Sequence, residues 1–312
     1  MGKQAVLLLA HGTPETVEQI PAYLINVTGG RPLPEAVVKE IQRRYTLIGK
    51  SPLTEITLEQ ARLVEEELSA SGEAVHVYVG MRNWHPYIAD AMRQMKADGV
   101  EEIAAICLAP QNSRTSVGLY RRVVEAEATG LKLDFTEGWA CEPLLAEAFA
   151  ERLRPALKKL STEAGKPVPV LFTAHSVPCR TVQSAASGEG EADPYVEDAK
   201  ATAAAVVARV PEISRWEFAF QSQGASGGPW IGPSVEETIE ELARQGVKNL
   251  ILQPIGFLCD HVEILYDVDC LFKEFAAQRG IRLERPESLN ASSTLAKAVA
   301  GLAVEGLKRL QA

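Results

Sequence analysis

Apolar and polar residues follow one another along this chain in two rhythms. Short, nearly continuous apolar runs at 5–10, 74–80, 102–109, 132–136, 168–174, 215–220, 248–254 and 281–284 have the length of strands buried on both faces. Between them lie longer stretches whose apolar positions recur every three or four residues, at 55–71, 85–97, 142–160, 233–244, 260–277 and 293–309. That is the period of a helix with one buried face. Strand and helix take turns, and the alternation predicts an α/β fold of parallel sheets with helices on both faces.

The order of landmarks occurs twice. An apolar strand from Ala5 runs into Ala10-His11-Gly12-Thr13-Pro14, and another from Val168 runs into Ala174-His175-Ser176-Val177-Pro178. Downstream of each, a Gly-Val step (Gly99-Val100, Gly246-Val247) opens a further apolar run that ends at Pro110 or Pro254. Tyr120 and Tyr266 follow those prolines by 10 and 12 residues. Four matched landmarks argue for two copies of one α/β unit, divided in or just after the helix at 142–160 into halves 1–150 and 151–312. Open α/β sheets bind ligands beyond the carboxyl ends of their strands. Facing halves would therefore set His11 and His175 on opposite walls of one cleft. Either histidine alone also fits a core residue bonded to a neighbouring backbone group.

Composition narrows the class. The 312 residues are 46% apolar and 23% charged, enough for two cores of ordinary size. A net charge of -9 without a basic cluster argues against nucleic acid as a partner. No apolar stretch approaches the roughly 18 residues of a membrane span, and the run after Lys3 is too short for a signal peptide. Cys107, Cys141, Cys179, Cys259 and Cys270 are odd in number and form no C-x-x-C pair, which suits neither a disulfide framework nor a zinc or iron-sulfur site. A reducing cytoplasm is the expected compartment.

Candidate chemistry concentrates at 260–267. On a helix, Asp260, Glu263 and Asp267 share one face, while Phe257, Leu258, Val262, Ile264 and Leu265 pin that helix to a core. Crowded carboxylates repel, and a divalent cation held by oxygen and imidazole ligands would relieve them. A solvated acidic face is the alternative. Two segments read as mobile or lining loops: polar Ser184 to Asp198, and Gly224 to Trp230. Trp230 can stack on a planar ligand or cap the core edge.

F-T-A-H-S-V-P at 172–178, Q-S-Q-G at 221–224 with P-W-I-G-P at 229–233, D-H-V-E-I-L-Y-D at 260–267, and R-R-Y with I-G-K-S-P-L between 43 and 53 together resemble the ferrochelatase family. The likeness runs from about Val6 to about Gly301. It implies two similar Rossmann-like domains of the class II chelatase type, each with a parallel four-stranded sheet, and a porphyrin held in the cleft between them. It also implies a lyase that inserts Fe(II) into that porphyrin late in haem biosynthesis.

Carried over by position, the resemblance makes His175 and Glu263 the catalytic pair on one side of the macrocycle. Which of them takes the pyrrole protons and which delivers the metal stays open. Asp267 joins them as a metal residue on an acidic ridge whose next step is Leu271 here, with Asp269 nearby as a substitute. His11 stands where the family usually has Tyr, Phe or Met. A strand ending in His-Gly is also similar to small cobaltochelatases and sirohydrochlorin chelatases, so His11 reads as an extra metal-facing group, an axial ligand to the product, or a backbone-bonded ring.

Arg31, Arg44, Tyr45, Ser51 and Tyr120 match positions that line the porphyrin or its propionates, while Arg43 reads equally as a surface residue. Thr28 and Gly29 stand where some relatives carry arginine. The segment Gly29 to Pro34 resembles compact members that metallate coproporphyrin III, which is favoured over protoporphyrin IX. Iron is then a substrate, no cofactor is permanently bound, no iron-sulfur cluster is expected, and the chain works as a monomer. A cobaltochelatase or sirohydrochlorin chelatase, and a non-catalytic porphyrin carrier, are the competing readings. The retained pair His175 and Glu263 argues against a carrier, because holding a flat apolar ring needs no base.

Overall fold

The computed structural model describes residues 2–182, 192–223 and 228–312. Strands β1 (Lys3–Ala10), β2 (His76–Met81), β3 (Val100–Cys107) and β4 (Lys132–Thr136) form one parallel sheet in the order β2-β1-β3-β4. Strands β5 (Val170–His175), β6 (Trp216–Gln221), β7 (Asn249–Pro254) and β8 (Arg282–Glu284) form a second in the order β6-β5-β7-β8. Each predicted strand is present with its ends within two residues of the expected ones. The sheets have the same order, so the landmark repeat in the sequence is a repeat in space. In both, the strand order reverses beside the first strand of the unit, β1 or β5, which is where such sheets open a crevice for a ligand.

Helices α1 (Ile20–Val27), α2 (Glu35–Ile48), α3 (Leu53–Ala70), α4 (Ile88–Ala97), α5 (Val117–Glu127) and α6 (Pro143–Ala164) accompany the first sheet and the crossing to the second. Helices α7 (Cys179–Val182), α8 (Tyr195–Arg209), α9 (Val235–Arg244), α10 (Lys273–Gln278) and α11 (Ser293–Gln311) belong to the later chain. A π-helix at Glu263–Phe272 runs directly into α10. Local chemistry sets several ends. Ser234 and Glu237 close a capping box at the start of α9, and Gly165, at φ +67°, ends α6 in the left-handed conformation that a residue without a Cβ adopts most readily. The expected helices at 55–71, 85–97, 142–160, 233–244, 260–277 and 293–309 are all represented, whereas α1, α2, α5, α7 and α8 were not among them.

Central strands explain the core. Ala5 through Ala10 of β1 and Val170 through Ala174 of β5 are buried, as strands covered on both faces must be. One apolar cluster joins the two sheets, with Leu8 and Ile106 from the first, Phe172 and Ile251 from the second, and Phe149, Leu153, Leu295 and Val299 from α6 and α11 between them. Smaller clusters cover the outer faces, around Leu7, Met92 and Ile103 on one side and Leu171, Leu252 and Ile264 on the other. Helix α11 packs on α3, β3 and β4, so the end of the chain lies on the first sheet. The expected division at 150 runs through α6, which itself packs against α8 and α11.

Candidate active site

The carboxyl ends of β1, β2 and β5, the turn before α3 and the start of the π-helix surround a cavity of about 320 Å³. Of the residues expected at the site, His11, Tyr45, Ser51, Tyr120, His175 and Glu263 line it. Tyr23, Arg82, Tyr195 and His261 line it as well, without a motif in the sequence that assigns them to it.

His175 ends β5, and its Nδ1 faces the carbonyl oxygen of Ser176. A carbonyl only accepts, so Nδ1 donates to it, and in the neutral form of the ring the lone pair lies on Nε2. That Nε2 lies 3.6 Å from Oε2 of Glu263. His261 repeats the arrangement: its Nδ1 is 3.0 Å from the Cys259 carbonyl, and its Nε2 is 4.0 Å from the same Glu263 oxygen. Glu263 Oε2 is buried and has no hydrogen-bond partner. A buried carboxylate oxygen left bare is costly unless a proton or a cation arrives. Two imidazole lone pairs and one orphaned oxygen thus converge where either could be received. Tyr195 fixes the base of this arrangement, its hydroxyl donating to the His175 carbonyl at 2.7 Å.

His11 approaches from the other half of the chain. The turn behind it requires Gly12, which sits at φ +85° and whose absent Cβ would lie 2.8 Å from the Trp84 amide nitrogen. Its ring meets Asn83 Nδ2 at 3.0 Å from Nε2 and 3.2 Å from Nδ1, so its polar partner is an amide side chain rather than a neighbouring backbone group. Burial first, then the charge of Arg82 and the nearby His261 and His175, lower the His11 imidazole to about 3. It is therefore neutral near pH 7 and has a lone pair to offer, held by a neutral donor that a stronger ligand can displace.

Arg82 follows β2 and lies over the Tyr120 ring at 5.0 Å. Its Nε is buried without a hydrogen-bond partner. Burial pushes the Tyr45 phenol up to about 12 and raises those of Tyr23 and Tyr120, so all three stay protonated. Thr13 shares a hydrogen bond with Tyr45 at 2.9 Å, and the Ser51 hydroxyl is buried and unpartnered.

Other expected residues lie off this wall, each for a visible reason. The three-carboxylate stripe does not form, because the π-helix begins at Glu263 and each acid turns to a different partner. Asp260 precedes the helix and bonds Ser288 and Asn290. Asp267 accepts from Ser222 Oγ at 2.7 Å and meets Arg44 at 3.4 Å. Burial pushes its carboxyl above the usual range, against the pull of the Ser222 bond. Asp269, offered as a further step on the ridge, is taken by Arg285 at 2.6 Å and Lys273 at 3.0 Å. Asp267 thus faces Ser222 and Arg44 rather than the opening between His175 and Glu263.

Arg44 is bound to Glu40 at 3.1 Å and to Asp267, and lies over the Tyr266 ring at 5.0 Å. Arg43, read as a possible surface residue, also holds Glu40 and the Tyr266 hydroxyl. Arg31 is exposed between α1 and α2, donating to the Thr28 carbonyl at 3.3 Å. Trp230 bridges to Pro178 in antiparallel fashion just beyond His175, away from the cavity wall. Most of the two expected lining loops, 184–191 and 224–227, lies outside the described residues.

The pattern of the ferrochelatase family matches residues 3–307. A ferrochelatase of Acidobacterium capsulatum is 56% identical over 99% of this chain and 96% of its own length. A coproporphyrin III ferrochelatase of Geobacillus sp. is 30% identical, covering 98% of both chains. Among solved structures, the sirohydrochlorin chelatase SirB of Bacillus subtilis subspecies spizizenii in complex with cobalt superposes with a TM-score of 0.59 at 12% identity, over 98% of this chain and 96% of that one. At that identity the superposition speaks for the fold alone. Family pattern and relatives span nearly all of the sequence, and the histidine and glutamate that carry the likeness face each other across 3.6 Å in one cavity: the chain belongs to the ferrochelatase family.

Proposed function

We propose that this protein is a lyase-class chelatase that inserts Fe(II) into a porphyrin in haem biosynthesis, with coproporphyrin III preferred to protoporphyrin IX. One observation carries the reading: His175 Nε2 and the unpartnered Glu263 Oε2 face each other at 3.6 Å across a cavity that also holds a neutral His11. Insertion exchanges two pyrrole protons for one dication. It therefore needs acceptors for protons and weak, displaceable ligands for iron, and imidazole and carboxylate are both. The tautomer of His175 leaves its basic nitrogen on the Glu263 side. His261 gives the pair a third nearby base, a short path along which a proton can leave.

A preference for coproporphyrin III is supported by the coproporphyrin III ferrochelatase that the chain resembles over its length, and by Arg31, exposed between α1 and α2, whose guanidinium can meet a propionate bidentately. Arg44 serves this purpose less well, since Glu40 and Asp267 already occupy it. Asp267 and Arg44 together more readily order the cleft edge than carry metal, and Trp230 stands ready beside the turn that follows His175. The reading includes a monomer in the reducing cytoplasm with no resident cofactor, and the unpaired cysteines Cys107, Cys141, Cys179, Cys259 and Cys270 suit that compartment. No helix among the described residues is long and apolar enough to cross a membrane.

The test is metallation under anaerobic conditions, with Fe(II) supplied against coproporphyrin III, protoporphyrin IX and sirohydrochlorin, and Co(II) in parallel, following porphyrin absorption. The highest kcat/KM is expected for Fe(II) with coproporphyrin III. A protoporphyrin preference would correct the substrate, and activity confined to sirohydrochlorin would overturn ferrous porphyrin chemistry altogether.

His11 is proposed as a ligand to iron in the product complex. His11→Ala is then expected to change the absorption and spin state of bound haem, because a nitrogen ligand is lost from the iron. Spectra identical to the wild type would leave His11 as a wall residue of the cavity.

A further inference from the structure

Glu263 and His261 owe their placement to a bracket that lies outside the cavity. The carboxylate of Asp260, immediately before them, is fully engaged: Oδ1 accepts from Ser288 Oγ at 2.7 Å and from Arg285 Nη1 at 3.2 Å, and Oδ2 accepts from Asn290 Nδ2 at 2.9 Å. Asn290 answers with its own oxygen, which accepts the Asp260 amide at 2.8 Å. Its backbone amide donates to Leu258, and its carbonyl accepts from Gln60 Nε2 of α3 at 2.8 Å. Asn290 does this from φ +47°, a conformation that a side-chain-bearing residue holds only when its surroundings fix it. Arg285, 9% exposed at its side chain, spans from Asp260 to Asp269 inside the π-helix. Both ends of the segment that carries Glu263 are thus tied to residues 285–290, and through Gln60 to the wall contributed by the first half.

We infer that Arg285, Ser288 and Asn290 are positioning residues for metal insertion: by holding Asp260 and Asp269 they set the start of the π-helix so that His261 and Glu263 face His175. None of the three lines the cavity or touches the reacting atoms. The inference rests on the proposed chelatase reading for its kinetic arm, and a structural arm stands apart from it.

Asn290→Gly tests the bracket cleanly, since glycine keeps the positive φ and removes only the amide. Three outcomes are expected together. Amide exchange of residues 258–267 speeds up while the melting transition remains. Turnover of Fe(II) falls about 10- to 100-fold, the scale seen when groups that orient metal-facing residues are removed. KM for the porphyrin stays within about twofold, as when only transition-state interactions are lost. Asn290→Asp sets two carboxylates against each other and is expected to act in the same direction; Asp260→Asn with Asn290→Asp restores the reciprocal amide-carboxylate pair and should recover both exchange protection and kcat. If Asn290→Gly does not fold, this exchanged pair against Asn290→Asp decides the matter.

Unchanged exchange at 258–267 in the single variants overturns the bracket. Faster exchange with unaltered kcat overturns its role in positioning. A wild type that metallates no porphyrin overturns the chelatase reading and leaves the exchange comparison to decide the bracket.

Discussion

Glu263→Gln and His175→Ala are each expected to lower kcat by about 10²-fold or more, the scale for removing a positioned general base. The two changes take away different things. Glutamine keeps the size of Glu263 but places a neutral amide where Oε2 now waits without a partner, so neither a proton nor a cation gains from meeting it. Alanine at 175 removes the lone pair at Nε2 and also frees the Ser176 carbonyl that now holds Nδ1. Porphyrin affinity, measured by fluorescence quenching, is expected to change little in both, because the tyrosines and Arg82 that line the cavity are untouched. The double variant should fall little below the worse single one, since residues that act as a unit are not additive. Turnover of either single variant within a few-fold of the wild type would remove that residue from the chemistry.

Phe149→Ala should produce the largest loss of stability, about 3–5 kcal/mol, the range for emptying an aromatic ring's place in a core. Phe149 is completely buried on α6, in the cluster that also contains Leu8 of the first sheet and Phe172 of the second. A cavity there weakens both halves at once. Calorimetry of the wild type is accordingly expected to give one cooperative transition, and of the variant one transition at lower temperature. Two resolved transitions, with only one displaced, would show that the halves unfold independently and that the shared cluster contributes little coupling.

Much of this architecture is legible in the residues themselves. Central parallel strands are apolar on both faces, so β1 and β5 appear as unbroken runs, and the histidines that stop them appear as interruptions at the rim. Arg82 sits on that same rim, but its importance depends on β2 pairing with β1, and pairing partners cannot be read from one strand. Helix α8 escapes for a different reason: Ala199, Ala203 and Ala204 stand among other small residues, and the contrast between its buried and open sides is slight. The stripe of Asp260, Glu263 and Asp267 fails because apolar spacing does not distinguish an ordinary helix from the wider turn of a π-helix, nor say where the helix starts. Arg44 and Asp267 are 223 residues apart, and only the closed fold reveals that each neutralises part of the other.

The position of α11 has a consequence for how the molecule is made. During synthesis β1, β3 and β4 emerge before any strand of the second sheet, yet the helix that covers Ala104 and Ile106 on one face of their sheet emerges only after all four strands of that second sheet. The first half must wait with apolar surface exposed, or borrow cover from α3 and α6, until residues 293–311 arrive. Closure of the first sheet by a helix that follows the whole second sheet makes the arrival of residues 293–311 the event that covers it, and a nascent chain stalled before Ser293 is the form that most needs a chaperone.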